Sequence, residues 1–168
     1  MILNEVGMIA GDTSRSLCYM RELVLHELFP NYVILIINER EDLLPGQISK
    51  ESANEIIDLL ELNSIQYEIS SDSNINSQQV LDILSRRTEK VFIYSGFGGL
   101  ILSSKILNSG KNFLHVHGGY LPDYKGSTTN YFSLLNENNI GASSIFITKE
   151  IDSGPILIRK KFDPPSNR

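Results

Sequence analysis

The sequence predicts an α/β fold: a doubly wound, mostly parallel sheet with helices on both faces. Three observations carry this expectation. Short β-branched and aliphatic runs alternate with amphipathic stretches of helical length along the whole chain. One of those runs, "YVILIIN", is apolar at nearly every position, as a strand buried on both faces is. Gly, Asn, Asp and Pro punctuate the joins, and there is no repeat, low-complexity tract or linker. Strands that alternate with helices in this way take right-handed crossovers into a parallel sheet.

The elements follow in order. "EVGMIA" reads as a first buried strand. After it, "GDTS" offers Ser14 as the cap of a helix running to about Phe29, with Leu17, Met20, Leu23, Val24 and Leu28 at helical spacing. Pro30 and Asn31 are expected to stop that helix ahead of "YVILIIN". "SKESANEIIDLLELN" is an amphipathic helix, "IQYEIS" a short strand, and "SQQVLDILSRR" a helix with basic residues at its C-terminal end, where the dipole favours them. "KVFIYSGFGG" is an apolar strand ending in glycines, and "SSKILNSG" is a short helix closed by Gly110. "NFLHVH" is a strand, and "TTNYFSLLNEN" a helix capped by Thr128 or Thr129. "GASSIFITKEIDSGPILIRKKF" gives two strands around the turn "KEIDSGP".

At 168 residues the chain predicts one domain, 1–168, with a sizeable core. No apolar run is long enough to span a membrane, and the N-terminus lacks the pattern of a signal peptide. Cys18 is the single cysteine, which fits a reducing, cytoplasmic setting. A net charge of −5 argues against a nucleic-acid partner. Oligomerisation stays open.

Ligands of such sheets bind beyond the carboxyl ends of the strands. That rule selects Gly11–Ser14, Ser95–Gly99, the pair His115 and His117, and Asp152, all expected to converge on one edge. His115 and His117 share a face, because side chains alternate along a strand. His26 reads as a surface or helix-packing residue. Three chemistries use a histidine pair at a strand tip: metal ligation, acid–base catalysis, and neutral hydrogen bonding. His-x-His with a distant Asp makes a thin ligand set for zinc, and a purely structural pair stays open as well. "GDTSRS" is neither a dinucleotide fingerprint nor a P-loop. It is a plain capped turn, or a helix N-terminus that holds an anionic group.

From Ser95 to Leu157 the chain resembles the formyltransferases that use N10-formyltetrahydrofolate. The family pattern is Asn-x-His-Pro-Ser-x-Leu-Pro, a short run to Gly, and then a strand leading into Asp-x-Gly-x-Ile. "HVHGGYLPDYKG" places the family histidine at His117, followed by Leu121, Pro122 and Gly126; "GASSIFITKEIDSGPIL" places the aspartate at Asp152, with Gly154 and Ile156. Two departures stand out. His115 replaces the family asparagine, and Gly118-Gly119 replaces Pro-Ser.

The resemblance implies a Rossmann-like formyltransferase domain with N10-formyltetrahydrofolate as donor and no metal. It implies catalytic roles for His117, Asp152 and His115. Phe97, Gly98, Gly99, Leu100 and Ile101, with Thr148, Lys149, Glu150 and Ile151, would hold the donor. Gly11, Asp12, Thr13, Ser14, Gly119, Tyr120 and Lys125 would hold the acceptor. In this chemistry an attacking amine gives up a proton and a developing oxyanion needs a preorganised donor. His117 suits that work with Asp152 beside it, and His115 suits positioning of the formyl oxygen. The resemblance favours a small primary amine as acceptor, above all an amino sugar of glycan biosynthesis. Family members continue past the equivalent of "KKFDPPSNR", which leaves a C-terminal truncation open. A folate-fold binding domain without catalysis and a metal-dependent hydrolase are the alternatives.

Overall fold

The computed structural model describes residues 1–38 and 49–166. The chain divides into two compact units, Met1–Lys111 and Asn112–Arg168.

The first unit holds β1 (Ile2–Gly11), α1 (Ser14–Leu25), β2 (Phe29–Ile36), α2 (Ser49–Leu62), β3 (Gln66–Ser70), α3 (Gln78–Arg86), β4 (Val91–Ser95) and α4 (Ser104–Leu107). Its strands run in the order β3-β2-β1-β4, every pairing parallel. The chain therefore steps outward from β1 to β3, then returns to the far side of β1 as β4. Right-handed crossovers then place α1 and α2 on one face and α3 on the other. The packing agrees. Met8, Ala10, Val33 and Leu35 close one buried cluster with Leu17 and Met20 of α1 and with Ile56 and Leu60 of α2. Ile9, Ile34 and Ile36, at the alternate positions, are buried toward the opposite face, and α3 buries Val80, Ile83 and Leu84.

The second unit holds β5 (Asn112–His117), α5 (Thr129–Glu137), β6 (Ile140–Phe146) and β7 (Ile156–Phe162). Both pairings, β5 with β6 and β6 with β7, are antiparallel. Helix α5 packs on β6. The α/β class and the mostly parallel, doubly wound sheet are those the alternation predicts.

Three local expectations need correction. Helix α1 ends at Leu25 rather than near Phe29, with His26 as its C-cap and Glu27 in the left-handed region. Pro30 does not stop it; Pro30 is the second residue of β2, where a missing N–H is tolerated at a strand start. The α1 cap is Thr13, whose Oγ1 accepts the Ser16 N–H at 3.2 Å, and not Ser14. Thr128 does stand at the N-cap of α5, but it has φ 56° and makes no side-chain cap bond. Thr129 spends its hydroxyl on the Gly118 carbonyl instead.

Candidate active site

His117 closes β5 with only 5% of its surface exposed. The pleat puts Phe113, His115 and His117 on one face: Phe113 is buried and His115 half-buried. Across the ladder His117 faces Ser143 and His115 faces Ile145.

Asp152 reaches the same place from the turn between β6 and β7. Its backbone has φ 48°, a left-handed conformation that aspartate tolerates better than most residues. Its Oδ2 lies 3.4 Å from His117 Nδ1 and accepts the Gly126 N–H at 2.8 Å. Gly126 itself has φ +88°, which its lack of a side chain permits. On its other edge, His117 Nε2 is 2.8 Å from the Tyr124 carbonyl oxygen. A carbonyl cannot donate, so Nε2 carries a proton in this arrangement. A proton arriving at Nδ1 finds a carboxylate oxygen already beside it.

The loop after His117 is fixed by groups the sequence reading did not single out. Ser143, fully buried, donates from Oγ to the Gly119 carbonyl at 2.7 Å and accepts the Leu121 N–H at 3.0 Å. Arg159 donates to the Leu121 carbonyl and lies 4.6 Å over the Tyr120 ring. The one available signal was the parity of Ser143, a polar residue at a core-facing position of an apolar strand. Gly119, where the family pattern has serine, has no room for a side chain. A Cβ there would come within 2.6 Å of both His117 Nε2 and the Tyr124 oxygen. A Cβ on Gly154 would run into the Phe146 carbonyl, so the glycine of Asp-x-Gly is a steric requirement of the turn.

Of the other expected residues in this unit, Lys125 is exposed and donates to Ser153 Oγ at 2.9 Å. Tyr120 is half-buried against Arg159 and Lys161. In the turn ahead of Asp152, Thr148 donates to the Glu150 carbonyl at 3.2 Å, while Lys149, Glu150 and Ile151 are exposed.

In the first unit the structure joins the first turn of α1 to the end of β4 and the residue after it. Ser16 Oγ is 2.6 Å from the Ser95 carbonyl and 3.0 Å from Ser95 Oγ, and Arg15 donates to the Gly96 carbonyl. The Phe97 ring lies against Gly11, so that a Cβ there would meet it at 3.3 Å. Beyond this foot, Gly98 and Gly99 have nothing within 4 Å of a would-be Cβ, and Leu100 and Ile101 are exposed. That is a backbone a flat ring could approach, flanked by apolar side chains. Asp12 is 3% exposed; its Oδ2 accepts the Asn38 N–H at 3.2 Å, and its Oδ1 has no partner among the described residues. Burial pushes this carboxyl up to about 6, against the lowering effect of the Asn38 N–H. Ser14 is exposed. His26 is a surface residue 3.8 Å from Glu22. Among the described residues no group of three or more His, Cys, Asp or Glu is placed to hold a metal ion. Among them also, no helix is long and apolar enough to cross a membrane.

Comparison with known proteins bears on this arrangement. The chain is 32% identical over 92 residues to a methionyl-tRNA formyltransferase of Finegoldia magna, covering 54% of this chain and 29% of the relative. It is 32% identical over 110 residues to formyltetrahydrofolate deformylase 1, mitochondrial, of Arabidopsis thaliana, covering 64% and 34%. The chain thus spans about a third of the length of these curated relatives. Its fold is that of phosphoribosylglycinamide formyltransferase from Anaplasma phagocytophilum, with a TM-score of 0.69 at 13% identity over 97% of this chain and 74% of that one. The sequence pattern of the family described as formyl transferase matches residues 10–163, across both units and including every residue of the His117–Asp152 arrangement, and the chain belongs to that family.

Proposed function

We propose that this protein transfers a formyl group from N10-formyltetrahydrofolate to the primary amine of a small molecule, an amino sugar of glycan biosynthesis. The observation that carries the reading is the buried His117 held between the Asp152 carboxylate at 3.4 Å and the Tyr124 carbonyl at 2.8 Å. The donor, when bound, supplies a formyl carbon open to attack by an amine. The open backbone at Gly98 and Gly99, with exposed Leu100 and Ile101, suits its flat ring system.

His117 has two tasks. Its Nε2–H is directed at a carbonyl oxygen in the resting structure, and a formyl oxygen is an acceptor of the same kind. Exchanging Tyr124 for the formyl oxygen places that donor where negative charge develops. The proton an amine must lose passes to the Asp152 carboxylate and the His117 Nδ1 beside it, and this pair returns a proton to the folate nitrogen as its bond to the formyl carbon breaks, so that tetrahydrofolate leaves as a neutral amine. Asp152 is itself oriented by the Gly126 N–H, which leaves its carboxylate aimed at the ring. His115, on the same strand face, takes the place of the family asparagine as a second hydrogen-bonding group for the formyl oxygen. Gly119, Tyr120 and Lys125, in the same unit as His117, suit contacts to the acceptor. An acidic chain with a pI near 5.2 supports a small acceptor over a nucleic acid.

The similarity to a formyltetrahydrofolate deformylase favours one other reading, in which water takes the place of the amine and formate is released. Incubation with N10-formyltetrahydrofolate and a panel of amino sugars separates the two. Formamide on a sugar amine supports transfer. Formate released at the same rate with and without amine supports hydrolysis.

A further inference from the structure

The loop after β4 carries glycines whose backbone is open on one side, yet its foot is fastened tightly to helix α1. We infer that Arg15 and Ser16 are positioning residues: they clamp the donor-binding loop Ser95–Ile101 to the first turn of α1, so that this helix sets the affinity for the folate donor. This rests on the reading of Ser95–Ile101 as the donor site.

Three hydrogen bonds make the clamp. Ser16 Oγ bonds the Ser95 carbonyl at 2.6 Å and Ser95 Oγ at 3.0 Å, and both serines are fully buried. Arg15 reaches from an exposed position to the Gly96 carbonyl. The two strands involved, β1 and β4, are neighbours on either side of the point where the strand order reverses. That is where doubly wound sheets bind ligands. Buried polar groups need partners, but this serine pair has a narrower consequence. Carbonyls 95 and 96 are the last two before Phe97, so fixing them fixes the direction in which the glycines leave the sheet. Thr13, which caps α1 through Ser16 N, ties the same turn to the loop after β1, and its Oγ1 lies 3.0 Å from Ser16 Oγ. The Phe97 ring against Gly11 adds an apolar contact between the two loops.

A general scaffold residue would alter stability and leave ligand affinity alone. A positioning residue changes donor binding more than turnover. Arg15→Ala should weaken binding of 5-formyltetrahydrofolate, a stable analogue of the donor, by about two- to tenfold, the worth of one ordinary hydrogen bond. The KM for the donor should rise in parallel while kcat stays within about twofold. Arg15→Lys, which retains a donor on a long stem, should recover part of the loss. Ser16→Ala should act in the same direction. Hydrogen exchange on the ligand-free protein gives a readout that does not depend on the donor: amides between Phe97 and Ile101 should exchange faster in Arg15→Ala, with those of β2 and β3 unchanged. Unchanged exchange in that segment overturns the clamp. So does faster exchange with no change in analogue affinity or donor KM. If the unaltered protein binds no 5-formyltetrahydrofolate, the donor-site reading fails, and the affinity claim with it; exchange alone then decides whether the clamp exists.

Discussion

Asp152 Oδ2 serves two partners at once: it stands 3.4 Å from His117 Nδ1 and accepts the Gly126 N–H at 2.8 Å. One carboxylate oxygen therefore ties the strand end, the loop after it and the β6–β7 turn together. Replacing Asp152 with Asn keeps the shape but offers an amide in place of a charge that can steady a second proton on His117. Turnover should fall on the order of 10²–10⁴, the usual weight of acid–base assistance. Donor binding should change little. Steady-state rates and a binding titration on the same sample check both halves.

Gly119 should tolerate nothing larger. A methyl group there meets His117 Nε2 and the Tyr124 oxygen at 2.6 Å and Thr129 Oγ1 at 2.9 Å. Gly119→Ala must push the ring or the loop aside. A misplacement of an ångström costs about a hundredfold in a well-oriented site. The expected outcome is a folded protein, judged by its circular dichroism, with turnover reduced by about that factor. Wild-type turnover would show that the loop after His117 can shift without consequence.

Glu89 predicts how the fold responds to acid. Its side chain is fully buried, and burial alone would raise its pKa. The Arg87 guanidinium, which bonds both its oxygens at 3.0 and 2.7 Å, outweighs that together with the Asn31 amide at 2.6 Å, and the carboxyl sits near 2. A carboxyl held below its unfolded value of 4.5 stabilises the fold above that value and loses the contribution as pH falls toward 2. Glu89→Gln should remove this part of the acid dependence. It should also cost on the order of 1–2 kcal/mol at neutral pH, the scale of a hydrogen bond to a charged group, because Arg87 keeps part of its side chain in water and the amide still accepts from it. Urea unfolding at several pH values measures both.

Asp12 predicts the opposite slope. Its folded pKa, about 6, lies above the ordinary 3.8, so the folded state holds the proton more tightly. The favourable contribution is complete below about pH 4 and is lost as pH rises through about 6. Asp12→Asn should flatten this part of the profile and leave the protein at least as stable as the wild type near pH 7.5. Melting temperatures across the interval decide it. A wild-type profile flat between these values removes the buried, half-satisfied carboxyl from the account.

The sheet was largely legible in the sequence because β2 is apolar and buried at nearly every position, the other strands form short apolar runs, and the helices between them are apolar on one face. "NFLHVH" placed His117 at a strand tip because the apolar run ends there, and alternation put His115 on the same face; Asp-x-Gly marked a turn that only glycine at 154 allows. What stayed hidden is backbone chemistry. The Tyr124 carbonyl beside His117 leaves no trace in residue type, and neither do the carbonyls of Ser95 and Gly96 that Ser16 and Arg15 hold. Thr13 rather than Ser14 caps α1, since adjacent hydroxyl residues differ in capping only by where the strand releases the chain. Gly119 stands where the family pattern has serine. In the structure it is what the ring of His117 and the Tyr124 carbonyl require.

The central claim is that His117 does chemistry and His115 positions. The formyl-transfer rates of His117→Asn and His115→Asn, measured side by side with an accepted amine, test it most directly. The account predicts a loss of about 10²–10⁴ for His117→Asn. It predicts a change within about tenfold, or about 1.4 kcal/mol of barrier, for His115→Asn, which restores an amide donor at that position. Equal and deep losses in two folded variants would contradict it, because His115 would then carry a part of the reaction that no amide can perform.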